Sequence, residues 1–68
     1  MKFCEMTKPE IEKILSLGNL TKDEEQVFIF LAKGYTRIQI QDRLLISSAT
    51  IGRIKRRIEK KAERLFND

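Results

Sequence analysis

The sequence predicts a small all-α domain of four helices. Hydrophobic residues recur at intervals of three and four over long stretches, which is the helical period. Threonine or serine precedes each of these stretches, where a helix N-cap is expected. Three glycines and one proline in 68 residues are few for a turn-rich β fold. The length is that of a single domain, 1–68.

Two N-terminal helices share one start signal. Thr7 caps a helix predicted over residues 8–17, and Thr21 caps one predicted over residues 22–33. In each case a glutamate three residues after the threonine completes a capping box. The second helix is predicted to be the centre of the core, because residues 27–32 are all apolar.

Two further helices are separated by a short break. Thr36 caps a helix predicted over residues 37–44, and the break covers residues 45–47. Ser47 then caps a long fourth helix at about 48–66. Two helices joined by a three-residue turn, the second of them basic, are typical of a helix-turn-helix. In that plan the second helix enters the major groove of DNA while the first one braces it.

The chain is therefore expected to consist of an extra N-terminal helix within residues 1–19 and a helix-turn-helix core at 20–66. The first six residues and the last two are expected to be frayed. Ile29 and Ile38 fall off the apolar stripes of their helices. We expect the first helix to cover both residues, and the alternative is that they bind a dimer partner.

The positive charge is concentrated near the C-terminus. The net charge is +4, and residues 53–64 hold seven of the fourteen Lys and Arg against two glutamates, so that this segment alone is +5. A basic stretch on one helix is the electrostatic footprint of a nucleic-acid-binding domain. The alternative is a solvated helix face that keeps a small protein soluble.

The fourth helix divides into an apolar and a polar side. At 100° per residue, Ile51, Ile54 and Ile58 form an apolar stripe that Ala62 and Leu65 continue. The opposite side begins with small residues and becomes basic. The residues expected to contact bases are Ser48, Ala49, Gly52, Arg53 and Arg56. Those expected to contact phosphates are Thr36, Arg37, Thr50, Lys55, Arg57, Lys60, Lys61 and Arg64.

Enzymatic and metal chemistry are not indicated. The chain has no histidine and one cysteine, Cys4, so the commonest general base and a multi-cysteine metal site are both missing. We expect no catalytic residue, metal or cofactor. No apolar run is long enough to cross a membrane. The expected location is therefore the cytoplasm, in association with the nucleoid, and the expected partner is double-stranded DNA.

From residue 20 onward the chain resembles the LuxR/GerE-type DNA-binding domain. The register of the resemblance is unbroken to about Leu65. The matching segments are Leu20-Thr21, Glu24, Val27-Phe28-Ile29-Phe30-Leu31-Ala32, Gly34-Tyr35-Thr36, Ile40, Leu44, Ile46-Ser47-Ser48-Ala49-Thr50-Ile51, Ile58 and Lys61. The resemblance implies a transcriptional regulator whose recognition helix is about 48–66. Region four of the bacterial sigma factors shares the pattern and is the second family that the chain resembles.

The sequence departs from the LuxR/GerE pattern in three respects. Gln41 stands where that family has alanine in the brace helix, and Gly52 stands where it has lysine in the recognition helix. The family's dimer-forming fourth helix has no counterpart after residue 66. Formation of a homodimer is therefore one alternative, and a monomer is the other. The alternative function is a protein-interaction module of the same fold that binds RNA polymerase or another regulator.

Overall fold

The computed structural model describes residues 3–66, and these residues form helices and turns without a strand. A short 3-10 turn, Phe3–Glu5, precedes four α-helices. These are α1 (Lys8–Leu17), α2 (Lys22–Ala32), α3 (Arg37–Leu44) and α4 (Ser48–Phe66). The predicted all-α architecture and the four predicted helices are confirmed. Helix α2 is one residue shorter than predicted, because Lys33 is its C-cap.

The helix starts follow the predicted capping chemistry. The hydroxyl of Thr21 accepts a hydrogen bond from the backbone N–H of Glu24 at 3.3 Å, and the Glu24 carboxylate accepts one from the Thr21 N–H at 2.9 Å. Thr36 forms the same reciprocal pair at the start of α3. At α4, Ser47 Oγ accepts a hydrogen bond from the N–H of Thr50 at 3.2 Å. Each bond satisfies a backbone donor that has no partner within its helix.

Helix α4 supplies most of the contacts that hold the fold together. It packs against α1, α2 and α3. Its buried residues, Ile51, Ile54, Ile58 and Ala62, are spaced by three and four positions and therefore form one stripe. The remaining buried apolar residues are Phe3, Ile14, Val27, Phe28 and Ile40. Burial on α4 leaves the other side of this helix free to carry polar and basic residues.

The N-terminal residues correct one expectation. Residues 1 and 2, like residues 67 and 68, lie outside the described residues. The prediction that residues 3–6 are frayed is wrong: the Phe3 side chain is only 3% exposed and meets the Phe28 ring edge-on, with 5.5 Å between centroids. Met6 also packs against the core. The physical reason is that the turn Phe3–Glu5 packs against α2, where the Phe3 ring joins the core.

Helix α1 does not cover Ile38. Helix α1 packs against α4 instead, and Ile38 remains 73% exposed. The expectation that the first helix folds over Ile38 is therefore wrong, whereas Ile29 is half-buried. Another exposed apolar residue, Leu45, lies in the turn after α3; it is 88% exposed and has left-handed backbone angles (φ 55°, ψ 41°).

Candidate nucleic-acid interface

An open groove runs along α4 from Ser48 to Glu59 and beside the start of α3. Its volume is about 470 Å³. The groove is lined by Arg37, Ser48, Ala49, Gly52, Arg53, Lys55, Arg56 and Glu59. All five residues that the sequence predicts as base contacts therefore lie together on one surface. Two of the predicted phosphate contacts, Arg37 and Lys55, join them.

The groove is positively charged. Four of its residues are basic and one is acidic, which gives a local formal charge of +3. Arg53 and Arg56 are exposed, and Lys55 is half-buried against the helix. Clefts lined by one sign of charge concentrate ions of the opposite sign. The surface can therefore attract a polyanion, and its two exposed arginines can each donate two parallel hydrogen bonds.

Gly52 is one of the residues that line the groove. A Cβ built at this position would have one neighbour within 4 Å, the Arg37 guanidinium nitrogen Nη2, at 3.9 Å. That distance is an ordinary van der Waals contact, and Gly52 has ordinary helical backbone angles within α4. Nothing inside the protein therefore requires glycine here. Glycine in a helix interior costs about 1 kcal/mol relative to alanine.

Three further predicted phosphate contacts lie on α4 outside the groove. Arg57, Lys60 and Arg64 are all exposed. Arg64 lies furthest from the groove, beside Leu17 at the C-terminal end of α1. These side chains extend the basic surface along α4 beyond the residues that line the groove.

Lys61 has a role inside the protein. Its ammonium group forms an ion pair with the Glu24 carboxylate at 2.5 Å and donates a hydrogen bond to the backbone carbonyl of Asn19 at 3.0 Å. Lys61 therefore links α4 to the start of α2. This bonding leaves the ammonium less able to reach a phosphate, so we leave Lys61 out of the interface proposed below. The sequence signal is its spacing of three from Ile58, which puts it at the edge of the buried stripe.

The Glu24 carboxylate is buried, with a residue exposure of 2%. Burial acts to raise the pKa of this carboxyl. The hydrogen bonds from Lys61 and Thr21, together with the charge of Lys61, act in the opposite direction and leave the Glu24 pKa below its ordinary value of 4.5. The group is thus held in its charged form, as a capping residue and as the partner of Lys61.

Two predicted phosphate contacts use their hydroxyls in caps. The Thr36 hydroxyl accepts a hydrogen bond from the Gln39 N–H at 3.3 Å. The Thr50 and Ser47 hydroxyls share a hydrogen bond of 2.8 Å. Thr50 also lines a separate cleft of about 100 Å³ between α2 and the turn after α3, rather than the basic groove. Neither threonine lines the basic groove.

Glu59 is the residue of the groove that the sequence analysis missed. It is half-buried and lies one helical turn after Arg56. The available signal was its spacing of seven residues from Gly52, which places both on one face of a helix.

Neither a cluster of metal ligands nor a membrane-spanning helix is found among residues 3–66. No three Cys, Asp or Glu side chains gather there into a group that could hold a metal ion. None of the four α-helices has a stretch both long and apolar enough to cross a lipid bilayer. Comparisons of the chain with models of protein families, with curated proteins and with solved structures give no significant match.

Proposed function

We propose that the chain is a sequence-specific binder of double-stranded DNA that regulates transcription, with α3 and α4 acting as a helix-turn-helix. The observation that carries this proposal is the groove: all five residues selected as base contacts line one surface with net positive charge. The major groove is wide enough to admit one α-helix. A recognition helix needs an apolar side to attach it to the domain and a small or basic side toward the DNA, and α4 has both.

The groove residues divide into two roles. Arg53 and Arg56 read bases, since an arginine can bond bidentately to O6 and N7 of guanine. Lys55 and Arg37 bind the phosphates that flank the groove, and Arg57, Lys60 and Arg64 extend that contact along α4. The small residues at the start of α4, such as Ala49, let the helix approach the base edges closely. In this arrangement α3 braces α4 across the three-residue turn.

Two substitutions separate base reading from phosphate binding. Arg56→Ala should relax sequence preference and cost about 1–3 kcal/mol on the preferred duplex. Lys60→Ala removes the same charge from the same helix outside the groove. It should weaken binding to all duplexes alike and reduce the salt dependence, because one fewer counterion is released. Fluorescence anisotropy on preferred and scrambled duplexes at several salt concentrations measures both effects.

The same variants can also contradict the proposal that this face of α4 reads bases. If Arg56→Ala and Arg53→Ala both leave the ratio of preferred to scrambled affinity unchanged, this side of α4 does not read bases. If Lys60→Ala alters that ratio instead, the DNA lies further along α4 than we propose.

The likeness of residues 20–65 to the LuxR/GerE pattern supports a bacterial or phage regulator, and sigma-factor region four is the second choice of ancestry. On this proposal the protein works in the cytoplasm, associated with the nucleoid. Homodimers on a palindromic site are compatible with the proposal. A two-fold motif in the bound DNA would indicate such a dimer.

One observation favours a second candidate, a protein-interaction module. Ile38 and Leu45 are 73% and 88% exposed and lie at the two ends of α3, Ile38 in its first turn and Leu45 as its left-handed C-cap. Exposed apolar residues of this size are common singly, and two beside the same short helix suit a partner such as RNA polymerase or another regulator. A stoichiometric protein complex that Ile38→Ser abolishes, with no binding to any duplex, would favour this candidate.

A further inference from the structure

The basic groove contains one acidic residue, Glu59. Glu59 lines the groove together with Arg37, Arg53, Lys55 and Arg56. Along a polyanion, a carboxylate at such a place repels phosphates and lowers affinity for every sequence. A residue that only served solubility or charge balance would be placed more favourably outside the groove, where Glu63 already lies.

Glu59 forms no ion pair with the basic residues beside it on α4. Lys55 and Arg56 precede it by four and three residues, spacings at which helical ion pairs form. Within residues 3–66, however, the ion pair that forms is the one between Lys61 and Glu24, and no cation lies within 4.0 Å of the Glu59 carboxylate. The carboxylate therefore keeps its capacity to accept hydrogen bonds from a molecule in the groove.

We propose that Glu59 is a base-reading residue that selects cytosine, an inference that rests on the proposed function. An ionised carboxylate can only accept hydrogen bonds. In the major groove the bases that offer a donor are cytosine, through N4, and adenine, through N6. Adenine presents its N7 acceptor beside that donor, and this lone pair repels a carboxylate. Guanine and thymine present acceptors, so cytosine is the base that Glu59 fits.

The helix geometry also fixes where this cytosine lies. Glu59 follows Arg56 by three residues, which is a rise of about 4.5 Å along α4. Successive base pairs are about 3.4 Å apart. The selected cytosine should therefore lie within one or two base pairs of the guanine that Arg56 reads, at the end of the site that faces the C-terminal half of α4.

The test replaces the carboxylate by an amide. Glutamine bonds bidentately to N6 and N7 of adenine, so Glu59→Gln should change the preferred base at that position from cytosine to adenine. We expect a change of about tenfold in the affinity ratio of the two duplexes, as one good base contact contributes. Glu63→Gln is the matched control: it makes the same charge change on the same helix, four residues later and outside the groove.

Selection from a randomised duplex library, run with the parent chain and both variants, gives the answer. The proposal predicts one changed position in the motif of Glu59→Gln and an unchanged motif for Glu63→Gln. If the parent selects a motif and Glu59→Gln selects the same one, Glu59 does not read a base, and the DNA-binding function stands. If the parent selects no motif, the proposed function itself fails. Circular dichroism of both variants verifies that each remains helical.

Discussion

At position 52, the demands of folding and of the proposed function differ. Alanine would be the better helix residue, and the structure leaves space for its methyl group, with its nearest neighbour at 3.9 Å. A glycine that the protein interior does not require makes sense if the backbone of α4 comes close to a base or phosphate. The sequence predicts that Gly52 contacts a base, and the structure shows no contact within the protein that requires glycine at this position.

Gly52→Ala should therefore stabilise the protein and weaken DNA binding. We expect the free energy of unfolding to rise by about 1 kcal/mol from the helix preference of alanine. Affinity for the preferred duplex should fall, because the methyl group occupies the space of the closest approach. Urea denaturation and anisotropy on the same preparation measure the two quantities.

Ala49→Gly provides the reciprocal control on the same face of α4. It should reduce stability while leaving the space at the groove unobstructed. If Gly52→Ala raises stability and leaves affinity unchanged, the DNA does not approach position 52, and this glycine has no functional explanation.

The starts of the helices could be predicted from the sequence, whereas the side-chain contacts between helices could not. Thr7, Thr21 and Thr36 marked three starts correctly, because a cap and its glutamate or glutamine partner are neighbours in sequence. The link from Lys61 to Glu24 joins residues 37 positions apart, and no local pattern shows such a pair. For the same reason, the sequence did not show that Lys61, which it predicted to contact phosphate, is bonded to Glu24 within the fold.

Lys61→Met should destabilise the fold by about 2 kcal/mol at neutral pH. The substitution keeps an unbranched side chain, one atom shorter, and removes the charge, which leaves a buried carboxylate without its ammonium partner. Lys60→Met, an exposed neighbour on α4 with the same charge change, should alter stability by less than about 0.5 kcal/mol. Urea denaturation at pH 7 compares the two.

The same pair of variants predicts a pH dependence. The Glu24 pKa is lowered in the folded state, so its contribution to stability is complete above the unfolded value of 4.5 and is lost as the pH falls through the lower folded pKa. The stability difference between the parent and Lys61→Met should therefore be full at neutral pH and shrink as the pH falls and the Glu24 carboxyl becomes protonated. A difference that persists unchanged at pH 3 would mean that the ion pair is not its source.

For the molecule as a whole, the sequence predicted the helical core and missed its N-terminal cover. The spacing of Ile51, Ile54 and Ile58 identified the buried stripe, because periodicity is visible in any helix of sufficient length. Phe3 stands in a three-residue turn, where no period exists. Its burial is a consequence of tertiary packing against Phe28. The small and basic residues of α4 that line the groove were predicted, because they share one face of this helix. The presence of Glu59 in the groove was not predicted.

A chain of this size has a small margin of stability. Phe3→Ala should therefore have a large effect, with a loss of about 3 kcal/mol as the buried ring and its contact with Phe28 disappear. The matched control is Phe66→Ala, since the Phe66 ring is 39% exposed and its contact is with Lys13. It should cost about 1 kcal/mol or less. Thermal unfolding followed by circular dichroism measures both, and equal losses would contradict the role given to Phe3.

The central claim is that this small helical protein reads duplex DNA with one face of α4. The most direct test is retention of a randomised duplex library at increasing salt, followed by sequencing of the bound DNA. We predict a defined motif containing guanine and binding that falls steeply with salt, because several lysines and arginines displace counterions. Absence of retention even at low salt would contradict the claim and favour the protein-interaction module.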